Sequence, residues 1–480
     1  MADITAIGTL ATPAQLAELA RRLLARDRVP LQALQDRQSL LNKRSSVLGT
    51  LRGKLSLLKG ALDQFLQPGT LSPFAAKSAT SSDTALLGAA ASTSASAGSH
   101  TVVVNQLAKR STFASAVYTD SGTAISGAGT GTFNFTLTIN GTAYTASVTV
   151  NAGDTDRTVL SNVATAITNA VSGKATAVVV ATESGKSRLS LASTETGTAN
   201  NIAFTDTDGL LGRLGLTNAT AATDTDGGYI YKDLGNHELD AKVTLNGLTY
   251  YRESNTISDL IAGLTFTLKA ADASKTVTVN VEPDADGILA KIKDFITKYN
   301  DVLDFLAANS AVDTKAGTRG VLSLDPVVSG FRSQLRSLAA TVVGSAASGD
   351  PNSLPALGIL AGADGKLSIS NETTLKDTIK SDPTAVSTVF AATSDGVATK
   401  IEDFIDDYTG AGGRISATQT QLSTRIRGLD TQIARMKAAL EKKQLALQQQ
   451  LARDQSVLVA LNRQLAQVQK FFTTLSGTTT

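Results

Sequence analysis

The sequence predicts an α+β multidomain chain. Long terminal coiled-coil helices and a helical-bundle domain enclose two β-rich head domains, inserted between the N- and C-terminal helices. Two observations carry this. Leucines recur at heptad spacing near both ends, as a coiled-coil seam requires. Between them, apolar and polar residues alternate around Asn-Gly pairs, the signature of tight hairpins. The 480 residues leave room for about two to four domains.

Residues 14–28 read as a short amphipathic helix through Leu16, Leu19, Leu23 and Leu24, and Pro30 is expected to interrupt it. A longer helix follows from about Leu31 to Leu66. Leu34, Leu41, Leu48, Leu55 and Leu62 form one row of it. Leu51, Leu58 and Phe65 form a second row, three residues on. Arg37 and Arg44 occupy that second row earlier, so firm packing is expected only from Leu48 onward. "QPGT" at 67–70 ends the helix, and the Ala/Ser/Thr-rich stretch 75–99 reads as a linker or thin edge segment.

"HTVVVNQLAKRSTF" reads as a strand. "FNFTLTI-NG-TAYTASVTV" is a hairpin turning at Asn140-Gly141, since a type I′ turn needs positive φ at both central residues. A helix over 156–171 and a second hairpin, "ATAVVVATESGKSRLSLAS", complete that unit. A related unit recurs around Asn246-Gly247, with "TISDLIAGL" expected as a helical turn and two strands in "LTFTLKAADASKTVTVNVEP".

From Asp286 the period becomes helical, with Ile288, Ile292, Phe295, Tyr299, Val302 and Leu306 on one stripe. Pro326 is expected in the first turn of a helix carrying Val327, Phe331, Leu335 and Leu338. Helices near 372–380 and 384–408 follow. "GAGG" at 410–413 breaks the pattern before a final helix from about Ile415 to Leu475. Its seam runs Leu422, Ile426, Leu429, Ile433, Met436, Leu440, then Leu447, Leu451, Leu458, Leu461 and Leu465, and on through Val468, Phe472 and Leu475. The 440–447–451 spacing is a stutter, and Lys443 and Asp454 intrude on the seam.

The simplest closure packs the helix from 48 to 66 against 286–306 and 414–440. The N-terminal helix, from about Leu31 to Leu66, then reaches only about half the length of the C-terminal one before it meets Pro30. The surplus seam beyond Leu440 and the poor seam before Leu48 are left for other subunits. The candidate self-assembly seam is therefore Leu48, Leu51, Leu55, Leu58, Leu62 and Phe65 together with Leu422 to Leu465 as named above. The expected divisions are a coiled-coil leg (1–45 with 430–480), a helical bundle (46–75 with 283–429), a β-rich head (76–120 with 230–282) and an outer β-rich head (121–229).

Composition narrows the chemistry. Aromatics are scarce, with 14 Phe, 8 Tyr and no Trp, so the cores are light. No Cys means no disulfide, thiolate metal site or Cys nucleophile. No apolar run spans a membrane, and "MADITAIGTLATPAQL" lacks the basic start of a cleaved export signal. The net charge is only +2, but residues 21–59 carry ten Lys/Arg against two acids, and 414–470 ten against three. These are solvated helix faces or the footprint of an acidic protein partner. No interleaved aromatics or reader motif supports nucleic acid.

His100 and His237 have no second ligand at metal spacing and read as strand-edge or turn residues. "ESGKS" at 183–187 has Val180 where a phosphate loop needs its first Gly, so it reads as a hairpin tip. "DTDGL", "DTDGG" and "EPDADG" complete no calcium loop; in the last, position twelve is Lys293. Asp284 and Asp286 sit where helix caps belong. Nothing points to catalytic, cofactor or metal residues, and no enzyme is expected.

The stretch "LGILAGADGKLSISNETTLKDTIKSDPTAVSTVF" carries Leu357-Gly358-Ile359, Asp364-Gly365 with Leu367, and Asp382-Pro383 with Val386 and Phe390. With "VPLQALQDRQSLL", "TVVVNQLAK" and "SNTISDLIAGLTFTL", it resembles the flagellar filament-capping, hook-associated protein type 2 family. Residues 120–230 match least, and "GTLATPAQ" at 8–15 replaces the family's Gly-rich opening. The resemblance implies a homo-oligomeric ring of five or six copies at the distal filament tip. It implies export unfolded by the flagellar type III route, a dedicated export chaperone on the C-terminal helix, and work on flagellin beside the hook–filament junction proteins. In some members it implies mucin adhesion. The competing expectations are another axial flagellar protein, or a secreted adhesin binding glycans through its β heads.

Overall fold

The structure is a computed structural model that describes residues 13–476 apart from residue 316. Its longer helices are α1 (Pro13–Asp63), α2 (Asp156–Ala170), α3 (Ala285–Ser310), α4 (Phe331–Ala339), α5 (Glu372–Ser381), α6 (Pro383–Ala391), α7 (Val397–Thr409) and α8 (Arg414–Ser476). Two compact units result. One holds the chain up to Gln67, Leu289–Thr378 and everything from Thr384; the other holds Pro68–Ile288 and Ile379–Pro383.

The first unit is helical. At 1.5 Å per residue, α1 with 51 residues spans about 77 Å and α8 with 63 about 95 Å. The two run antiparallel: Gln419 reaches the Ser45 carbonyl, Gln38 binds Asp430 and Lys443 binds Asp27. The expected break at Pro30 is corrected, because α1 continues straight through it. Pro30 removes the N–H that would bond the Arg26 carbonyl. Both residues are exposed, on the solvent side of α1, while Leu31 and Leu34 keep the apolar side half-buried. The side chains of Leu16, Leu19, Leu23, Phe472 and Leu475 lie outside those described.

Two further expectations are corrected here. Pro326 does not open a helix. The Asp325 carboxylate instead takes the Val327 N–H at 2.9 Å in a turn, and Gly330, at φ +80°, delays α4 to Phe331. The expected helix over 384–408 is two helices, α6 and α7. The chain reverses so tightly at Gly396 that a Cβ there would lie 2.6 Å from the Phe390 carbonyl oxygen. Asp364-Gly365 does turn between two short strands, Ile359–Ala361 and Leu367–Ile369, and Pro383 does start α6.

The second unit is β-rich. Its strands are β1 (Lys77–Ser81), β2 (Leu87–Ala91), β3 (Gly98–Gln106), β4 (Arg110–Ala114), β5 (Tyr118–Thr119), β6 (Gly131–Ile139), β7 (Thr142–Val150), β8 (Ala175–Glu183), β9 (Lys186–Thr196), β10 (Ala203–Asp206), β11 (Gly228–Tyr231), β12 (Ala241–Leu245), β13 (Leu248–Arg252), β14 (Thr256–Ile261), β15 (Leu264–Leu268) and β16 (Val277–Pro283). Sheets β1-β16-β3-β12-β13 and β14-β15-β2 enclose one core, with Val102, Val243, Phe266 and Val279 fully buried. Sheet β11-β4-β9-β5, with β8 beside β9, and sheet β10-β6-β7 share a second core with α2: Phe135, Leu137, Val163, Ile167 and Leu189.

Both Asn-Gly hairpins form, with Asn140 at φ 49° and Gly141 at 73°, and Asn246 at 48° and Gly247 at 88°. The single strand read in "HTVVVNQLAKRSTF" is corrected to β3 and β4, which lie in different sheets. "TISDLIAGL" is strand β14, not a helical turn. Ile257 pairs with Phe266, and sheet pairing outweighs a helical signal barely two turns long. The stretch 75–99 supplies β1 and β2, both at sheet edges.

The two cores meet across a polar junction where the chain crosses at 107–109 and returns at 232–240. Lys109 N–H bonds the Leu239 carbonyl at 2.8 Å, and Thr198 N–H donates to the Asp240 carboxylate at 2.7 Å. The Gln106 amide donates to the carbonyls of His237, Glu238 and Asp240.

Candidate assembly interface

The seam begins where α1 enters the bundle. Leu48, Leu51, Leu55, Leu58, Leu62 and Phe65 are all 0–1% exposed within one chain. Phe65 stacks on Phe390 at 4.7 Å and meets Phe295 edge-on at 6.4 Å. These six are therefore corrected from self-assembly positions to core of the chain's own bundle. Helices α3, α6, α7 and α8 already cover both of their rows, leaving no apolar edge for another copy.

Beyond Leu48 the seam opens by degrees. Leu422, Leu429 and Ile433 are buried against α1; Ile426, Met436, Leu440, Leu447, Leu451, Leu458 and Leu465 are half-buried; Leu461 is exposed. By the register of the α1–α8 contacts and the common rise per residue, Pro13 lies opposite about residue 457. Because α1 continues through Pro30, it accompanies α8 well past Leu440. The surplus seam is thus shorter than expected, about 20 residues or 30 Å. On it Val457, Leu461, Val468 and Phe471 are exposed at steps of four, seven and three. Leu461 and Val468 are seam positions; Val457 and Phe471, each one residue before a seam position, widen the apolar face and were not read from the sequence. Their signal was the heptad step itself, offset by one residue from the stronger leucine row.

Two of the polar residues on the seam, Arg44 and Lys443, have partners. Arg44 donates to the buried Asp325 at 2.7 Å, and Lys443 pairs with Asp27. Lys59 sits between Glu402 at 2.6 Å and Asp406 at 2.7 Å. Burial works against its charge, but these two hydrogen bonds outweigh it and push the pKa up. Burial, then the Glu402 hydrogen bond, pushes the neighbouring Asp63 carboxyl up. Tyr299 is fully buried, its hydroxyl finds no partner among the described residues, and burial pushes its pKa to about 12.

Among the described residues no group of three or more His, Cys, Asp and Glu could hold a metal. His100 lies on β3, 3.3 Å from Asn246. His237 sits in a turn, stacked on Tyr251 with Nδ1 2.7 Å from Asp240. "ESGKS" is the β8–β9 tip. Asp284 caps α3 by accepting from Gly287 N–H at 3.0 Å. No described helix is long and apolar enough to cross a membrane.

Comparison with known proteins converges on one family. Residues 14–111 match the model for the flagellar hook-associated protein 2 N-terminus, and 239–463 that for its C-terminus. The chain is 30% identical over 445 residues to the B-type flagellar hook-associated protein 2 of Pseudomonas aeruginosa, covering 90% of this chain and 88% of that protein. To flagellar hook-associated protein 2 of Escherichia coli K12 it is 25% identical, covering 90% and 95%. The crystal structure of the D1-D2-D3 domains of the E. coli flagellar cap protein FliD superposes with a TM-score of 0.55 at 25% identity. That match covers 78% of this chain and 99% of the other.

Proposed function

The chain belongs to the flagellar hook-associated protein 2 family, and on that premise we propose how its parts divide the work of a filament cap. It is a structural cap of the bacterial flagellar filament, from a family of assembly proteins and not of enzymes. The open seam of α8 joins copies into a ring of five or six. The residues that carry this are Met436, Leu440, Leu447, Leu451, Leu458, Leu461 and Leu465, with Val457, Val468 and Phe471. A single helix with an incompletely covered apolar face at heptad spacing gains by burying it against its equivalents. The incomplete burial of this seam within one chain, half-buried from Met436 to Leu465 and exposed at Val457, Leu461, Val468 and Phe471, is the observation that supports the reading.

We read the chain as four working parts: leg, bundle, head and outer head. The ring sits at the distal tip, shelters the growth point, and confines flagellin as it folds into the lattice. Covalent chemistry is not needed, and the chain reaches the tip through the flagellar export route, escorted by a chaperone on α8 and passing the junction proteins.

The test is genetic and hydrodynamic together. In cap-deficient cells this chain should restore filament growth, and Leu458→Asp with Leu465→Asp should not. The same pair should leave the purified protein folded but monomeric. Rescue by the doubly substituted chain would remove the seam from the mechanism.

A further inference from the structure

Beside Gly428 the paired helices do not close. Arg37 and Leu41 of α1 and Arg425, Gly428, Leu429 and Gln432 of α8 line a groove of about 420 Å³. Arg37 stands on the row whose later members, Leu51, Leu58 and Phe65, are buried. Arg44, on the same row, has Asp325. Arg37 and Arg425 are both exposed and have no ion-pair partner among the described residues. Two guanidinium groups therefore rim a partly apolar groove with no anion supplied by the chain that builds it.

The complementary charge stands unmatched elsewhere in the same unit. Along α7, Glu402 and Asp406 hold Lys59. Asp403 and Asp407 are exposed, one turn apart, with no cation partner among the described residues. Lys59 fixes where α7 lies along α1. From Lys59 to Arg37 is about 22 residues of continuous helix, on the order of 33 Å. The acidic face and the basic groove are held apart by one rigid rod, so they cannot meet within a chain.

We propose that the Gly428 groove receives the Asp403/Asp407 face of a second copy. Carboxylates entering it form charge-assisted hydrogen bonds with Arg37 and Arg425, partly shielded by the groove walls. The contact joins two different patches and is heterologous, the kind that propagates around a ring. With all copies at one level, the α1–α8 leg must lean across its neighbour for the patches to meet. The inference rests on the self-assembly reading above and adds the residues that set neighbour to neighbour.

Sedimentation of the full-length chain at about 50 mM and about 500 mM salt tests it, since partly exposed charge pairs weaken with ionic strength. Arg37→Glu with Arg425→Glu should weaken self-association about tenfold at low salt and much less at high salt. Asp403→Arg with Asp407→Arg should do the same, and all four together should recover it. Gly428→Leu checks the groove without altering charge. No atom lies within 4 Å of a Cβ there, and leucine favours the helix. It should keep or raise Tm while weakening association. If the unsubstituted chain never associates, the self-assembly reading falls and takes this one with it. If it associates and these variants associate equally well, or the fourfold variant fails to recover, the groove assignment alone is overturned.

Discussion

Arg44 Nε donates to Asp325 Oδ2 at 2.7 Å, and the Asp325 side chain is 1% exposed. A basic residue on an apolar heptad row thereby becomes the anchor of a loop nearly three hundred residues away. Asp325 has a second duty, accepting from Val327 N–H. Asp325→Ala should cost about 3 kcal/mol, since it strands a half-buried guanidinium and uncaps the turn. Asp325→Asn keeps the cap and should cost about half as much. Urea denaturation of the two variants gives the comparison.

Tyr299 should be replaceable at no cost. Its buried hydroxyl has no partner among the described residues, so Tyr299→Phe removes an unsatisfied group and should leave stability equal or raise it by about 1 kcal/mol. The pH response has a definite sign. The folded pKa, about 12, lies above the ordinary tyrosine value of 10.0. The stabilisation is full below pH 10 and disappears as pH rises toward 12, because the unfolded chain ionises first. Tyr118, also pushed up by burial, acts in the same direction. Denaturation midpoints across that range should fall less steeply for Tyr299→Phe than for the parent.

Pro30→Ala should strengthen the leg. It restores the missing N–H in the middle of α1 and removes the ring's clash, a gain of about 1–3 kcal/mol for local helix opening. Hydrogen exchange of amides around residues 26–34 should slow by one to two orders of magnitude, about what that free energy implies. Unchanged exchange would mean the helix had already relaxed around the proline.

Gly197 holds the two β cores together. At φ +95° it lies against Glu253, where a Cβ would overlap the Glu253 side chain and backbone. Gly197→Ala should cost about 2 kcal/mol or more, from strain and from separation of the Thr198–Asp240 hydrogen bond beside it. Proteolysis in the crossing segments 107–109 and 232–240 should accelerate, while the hairpin cores stay protected.

Legibility followed the range of the forces. Local signals read correctly: Asn140-Gly141, Asn246-Gly247, Asp364-Gly365, the Asp284 cap and the start of α6 at Pro383 each depend on residues within one turn. Segments whose fate depended on a distant partner read badly. "TISDLIAGL" joined a sheet because β15 offered Phe266 to pair with Ile257. Pro30 was absorbed because the helices on either side of it belong to one continuous rod. The family-bearing stretch 357–390 was legible because its turns and caps are local. Val457 and Phe471 were overlooked because the leucine row beside them dominates the pattern.

The sequence by itself determined that both ends are heptad helices, that the middle is hairpin β structure, and that no thiol or metal-binding histidine cluster is present. Periodicity and turn chemistry act over a few residues and are written directly in the chain. The tertiary structure alone decided which seam residues are occupied. Leu48 and Leu458 carry the same heptad signal, yet one is fully buried and the other half-buried. The difference is how far α1 reaches along α8 and which helices close around it. That is a property of long-range packing, which a repeat of apolar residues requires but does not specify.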